Sequence, residues 1–171
     1  MDHYWVRAGL DCTTFRYSDF NFGPEVRESE DNDNWKREWL RGEKGELNQR
    51  IAKDCDGIIT GLYEYQASYA PHFPEKTQFI PFPIVPREGL VLSDKTPQRV
   101  RFFIGIQKQR SVYKGTDIML RALERVVQEL PEKCEMVRVE NVPFAEYVKL
   151  MRGSDVILDQ LYSYTPAMNA L

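Results

Sequence analysis

From residue 100 onward, apolar runs alternate with amphipathic stretches. Residues 100–104 form a continuous apolar and aromatic run, and residues 116–130 place Leu120, Leu123, Val127 and Leu130 at helical spacing before Pro131 ends the pattern. Residues 136–139 are a second apolar run. Behind Pro143, the side chains Phe144, Tyr147, Val148 and Met151 stand at i, i+3, i+4 and i+7, and residues 155–158 make a third run. Strand and helix alternating through short loops predict right-handed crossovers and a parallel sheet with helices on both faces.

The earlier half is less regular. Residues 4–22 mix aromatic and polar side chains and close on Asn21-Phe22-Gly23-Pro24, so they read as irregular chain with one short strand, followed by an acidic run over 25–33. Asn34 is placed to cap a helix carrying Trp35, Trp39 and Leu40 on one face; Gly42 and Gly45 interrupt it before Leu47, Ile51 and Ala52 resume the face, which predicts two short helices. Residues 57–60 read as a strand, 62–69 as a helix before Pro71, and 79–86 as a strand leaving its sheet through prolines, which cannot donate to a central ladder. Gly89, Pro97 and several charges give 87–98 the character of a linker. The expected organisation is therefore one α/β unit over 1–86 and a second over 99–171. Thr165 and Pro166 have the form of an N-cap and first helical residue, so the sequence reads as part of a longer polypeptide.

Composition narrows the function classes. The charge balance of 23 basic against 26 acidic residues leaves no basic footprint for displacing counterions from nucleic acid. Cys12, Cys55 and Cys134 are odd in number and lack metal-ligand or disulfide-framework spacing. No run reaches the ~18 apolar residues of a membrane span, and the first residues lack the basic and apolar regions of a signal peptide, so the reading is a cytoplasmic chain. The Trp35/Trp39 stripe beside Lys36, Arg37, Arg41 and Lys44 reads first as core packing with a solvated outer face. Its alternative is peripheral contact with an anionic membrane at the inner face of the cell.

Ligands of open parallel sheets bind outside the carboxyl ends of the strands, which singles out the loop 105–115. It opens on Gly105, carries Lys108, Arg110 and Lys114, and delivers Lys114-Gly115 to a helix N-terminus, where backbone N–H groups and cations favour a phosphate. A merely solvated cationic loop is the equal alternative at this point. Two acidic triplets, Asp31-Asn32-Asp33 and Asp54-Cys55-Asp56, follow no apolar strand, so no metal is expected there.

Residues 51–171 resemble a stretch of the GT-B glycosyltransferases of family 4. The resemblance rests on Ala52-Lys53-Asp54-Cys55-Asp56-Gly57-Ile58-Ile59, on Phe79-Ile80-Pro81-Phe82-Pro83-Ile84, on Phe103-Ile104-Gly105 followed by Lys114-Gly115-Thr116-Asp117-Ile118-Met119-Leu120-Arg121-Ala122-Leu123, and on Gly153-Ser154-Asp155-Val156-Ile157-Leu158. It implies two incomplete Rossmann-like halves, the first serving the acceptor and the second the donor, and no cofactor or metal beyond a nucleotide-diphosphate sugar as substrate. Lys114 and Arg110, with Gly105 and Gly115, would hold the donor diphosphate, although Ile106 occupies the place where the family's arginine commonly stands. Tyr164, Thr165, Ala167 and Met168 would form a donor loop, Tyr164 standing where the family's first glutamate is expected. Tyr162 and Tyr164 would stack on base or sugar, or equally be half-buried core tyrosines. His3 is the candidate for the family's catalytic histidine, against a surface histidine of no special role. The implied activity is retaining hexosyl transfer to a glycan or lipid-linked acceptor in surface or capsular polysaccharide synthesis, needing the remainder of the polypeptide. The alternative is a noncatalytic module that binds a nucleotide or phosphosugar.

Overall fold

The computed structural model describes residues 1–83 and 97–164, and within them a mixed α/β protein of two compact units. Residues 1–83 together with 162–164 belong to the first unit, and 97–161 to the second. No described helix is long and apolar enough to cross a membrane.

The first unit opens on a helix, α1 (His3–Leu10), where irregular chain is expected from the sequence. Asp2 explains its start: the carboxylate accepts a hydrogen bond from the Trp5 backbone N–H at 3.0 Å, meeting one of the orphan donors of a first turn. Its buried face carries Tyr4, Val6 and Ala8. A short antiparallel ribbon follows, β1 (Asn21–Phe22) with β2 (Glu25–Val26). Helix α2 (Glu30–Leu40) begins earlier than the sequence suggests, because Ser29 is its cap, accepting from Asn32 N–H at 3.1 Å, and Glu30, Asp31 and Asp33 sit at its positive end. Asn34 lies inside the helix. Helix α3 (Glu43–Asp54) is the second of the two expected there. Strand β3 (Ile58–Thr60), helix α4 (Tyr63–Tyr69) and strand β4 (Thr77–Phe79) then form a βαβ unit whose strands pair in parallel from Ile58↔Thr77 to Thr60↔Phe79. The core beside it is largely aromatic: Tyr4, Ala52 and Tyr69 are buried, with Ile58, Tyr65 and Phe73 packed against them.

The second unit is a three-stranded parallel sheet in the order β6-β5-β7, built from β5 (Val100–Ile106), β6 (Cys134–Glu140) and β7 (Val156–Leu158). A single 3-10 turn over Lys108–Arg110 and the one-turn helix α5 (Ser111–Lys114) lead from β5 into α6 (Thr116–Glu129). Helix α7 (Phe144–Arg152) joins β6 to β7. The period-2 alternation of β5 sends Ile104 and Ile106 into a cluster with Leu123 of α6, while the fully buried Phe103 meets Tyr147 of α7 edge-on at 5.0 Å. Helices thus cover both faces of the sheet, as the alternation of elements predicts. Two expected core positions are outside: Leu130, the residue that closes α6, is 45% exposed, and Phe144, the first residue of α7, is 81% exposed.

Candidate functional site

Strands β5 and β6 end in step, Ile106 opposite Glu140. Beyond those ends lies a cleft of about 550 Å³ walled by Ile106, Val139, Val142 and Tyr147, with Lys108, Arg110 and Asn141 among its polar lining. Its charges are not equivalent. Lys108 Nζ lies 3.2 Å from Glu140 Oε1, and Arg138 Nη2 donates to Glu140 Oε2 at 3.4 Å, so the carboxylate at the end of β6 neutralises Lys108. Arg110 is exposed and has no acidic partner among the described residues, which leaves its guanidinium available to an anion entering the cleft.

Lys114 and Gly115 sit at the joint between α5 and α6. Gly115 adopts φ +72°, a left-handed conformation that a side chain disfavours, and its carbonyl accepts from Ile118 and Met119 N–H, each at 3.2 Å. The chain therefore turns there and restarts as a helix. Lys114 does not line the cleft; its carbonyl accepts from Leu161 N–H at 2.8 Å, tying the joint to the segment after β7. Its ammonium has no ion-pair partner among the described residues. Gly105 is also off the cleft lining. A Cβ at that position would collide with the Tyr147 hydroxyl, so the glycine admits Tyr147 against β5 rather than offering backbone to a ligand.

The other expected site residues lie elsewhere. His3 is a buried residue of α1, 6% exposed, with Nδ1 2.9 Å from the Trp39 carbonyl; a carbonyl only accepts, so Nδ1 carries the proton. It is neither a surface histidine nor one at a strand end. Tyr162 and Tyr164 belong to the first unit. There Tyr164 stacks on Tyr17 at 4.6 Å with 6° between the rings, its hydroxyl accepts from Arg16 N–H at 2.8 Å, and Arg27 lies 3.7 Å over the Tyr162 ring. Tyr162 is half-buried and Tyr164 is 38% exposed. Thr165, Ala167 and Met168 lie outside the described residues. Asp31 and Asp33 occupy the first turn of α2, Asp33 pairing with Lys36 at 3.0 Å, and Asp54 closes α3; no group of three metal-ligating side chains gathers among the described residues.

Two residues escape a reading of the sequence. Glu64 is a buried carboxylate accepting from Ser163 Oγ at 2.6 Å and from Tyr164 N–H at 2.9 Å, bonds that span about a hundred residues. Asn141 lines the cleft with φ +53°, and the one available signal is that asparagine, directly after a strand, is among the few side chains tolerating that conformation. Compared with known proteins, the chain matches no family model, no curated protein and no solved structure.

Proposed function

We propose that this chain is part of a sugar-nucleotide-dependent, retaining glycosyltransferase of the GT-B type, acting in surface or capsular polysaccharide synthesis. The observation that carries the reading is Arg110, a cation without a carboxylate partner in a cleft at the carboxyl ends of parallel strands, the place where α/β sheets bind their ligands. In this reading Arg110 takes the donor diphosphate within the cleft, and Lys114, at the joint before α6 and off the cleft lining, is the second cation that the resemblance implies. Their positive charge stabilises the negative charge that builds on the leaving nucleotide as the anomeric carbon becomes oxocarbenium-like. The acceptor, a glycan or lipid-linked sugar, belongs to the first half of the fold, and turnover requires the remainder of the polypeptide.

Titration with UDP and GDP tests this. Arg110→Ala and Lys114→Ala are each expected to weaken binding by ~1.5 to 3 kcal/mol, the range for hydrogen bonds to charged groups. Unchanged affinity in both variants would remove the loop from the site. Sugar transfer by the complete gene product separates the enzyme from the noncatalytic binding module, which would bind nucleotide without turnover.

A further inference from the structure

We infer that Asn141 is the specificity-determining residue of the cleft in the second unit, reading the neutral hydrogen-bonding ring of a nucleotide whose phosphates lie toward Arg110. The inference rests on the nucleotide reading above. The cleft has two chemically unlike sides. The loop after β5 supplies Gln107, Lys108 and Arg110; the end of β6 and the turn after it supply an uncharged wall of Val139, Asn141 and Val142. Two apolar side chains flanking one carboxamide suit a flat ring that stacks on hydrocarbon and presents hydrogen-bonding groups at its edge.

The carboxamide is disposed for that edge. It offers a donor and an acceptor side by side, the complement of the adjacent N–H and C=O groups of a base such as uracil. It has no hydrogen-bond partner among the described residues, and the neighbouring Glu140 is engaged by Lys108 and Arg138. The backbone conformation at φ +53° fixes the direction in which the side chain leaves the turn, and it restricts the position to residues tolerant of that conformation.

Asn141→Gly tests the assignment, because glycine adopts the same backbone conformation while removing the side chain that carries the carboxamide. UDP and inorganic pyrophosphate are titrated separately against the wild-type chain and the variant. The expected result is UDP binding about tenfold weaker with pyrophosphate affinity within about twofold of wild type, the loss of one to two ligand hydrogen bonds. Equal weakening of both ligands, or no change in either, overturns the assignment while leaving the nucleotide reading standing. A wild-type chain that binds neither ligand overturns both. If the glycine chain fails to fold, the side-chain amide resonances of Asn141 in the wild-type chain are followed instead: a shift on adding UDP but not pyrophosphate is expected, and equal shifts with both or none with either overturn the assignment.

Discussion

Each unit carries a cleft beside parallel strands, about 480 Å³ along β3 in the first and about 550 Å³ at the ends of β5 and β6 in the second. Their sizes are close and their chemistry is not. In the first, polar side chains are engaged with one another: the Tyr69 hydroxyl donates to Asp2 at 3.1 Å and accepts from Asn48 at 3.0 Å, Asp2 caps α1, and Thr60 donates to Gln66 at 2.5 Å. In the second, Arg110 and Asn141 have no side-chain partners among the described residues. Volume alone does not mark a binding site. Polar groups left available in a concave place beside apolar walls are what a ligand can use.

The comparison can be broken first at the scaffolds. Leu123, 4% exposed, anchors α6 on the sheet that supports the second cleft, whereas Ile51 of the first cleft is 56% exposed. Leu123→Ala should destabilise its unit by ~2 to 5 kcal/mol, and Ile51→Ala should stay within about 0.5 kcal/mol of wild type in denaturant unfolding. Equal losses would show that the two clefts are supported alike.

Glycines give a second and smaller contrast. A methyl at Gly105 meets the Tyr147 hydroxyl, and overpacking of that kind costs ~1 to 3 kcal/mol. At Gly57, beside the first cleft, the added atom has only the Lys76 carbonyl within reach, at 3.9 Å. Gly105→Ala should therefore lower stability and shift Tyr147, while Gly57→Ala leaves the melting temperature nearly unchanged. A tolerated Gly105→Ala would mean that Tyr147 does not rest on β5.

A third contrast comes from pH. Burial, with the charges of Asp2 and Glu64 adding to it, pushes the Tyr65 phenol up to about 12 from an ordinary value of 10.0, and burial raises Tyr69 further. A folded-state value above the unfolded one means that the native state holds the proton more tightly. Its contribution is complete below pH 10 and is lost as pH rises toward 12. Stability of the first unit should thus fall across that window, and Tyr65→Phe should flatten part of the fall. An identical pH profile in the variant would mean that Tyr65 does not titrate with unfolding.

The second unit was the more legible in sequence, and the reason is physical. Its long strands and the helix carrying Leu120, Leu123 and Val127 bury aliphatic side chains at regular spacing, so periodicity and burial coincide. In the first unit they diverge: α1 buries His3 and Tyr4 beside Val6, and the loop after it is held by the fully buried Asn21, which donates to the Phe15 carbonyl at 2.7 Å. Polar side chains that fill a core leave no hydrophobic period to read. At the site, the cationic loop could be seen because its residues are consecutive. Neutralisation of Lys108 by Glu140 and the seating of Tyr147 over Gly105 depend on strand register and packing, which local spacing does not contain.

The most direct test of the central claim is to follow backbone amide resonances of the intact chain as UDP is added. The account predicts saturable shifts concentrated at residues 106–110, 114–116 and 139–143, with the first cleft at residues 57–61 silent. Shifts at 57–61 with the second unit unmoved, or no saturable shift in either, would contradict it.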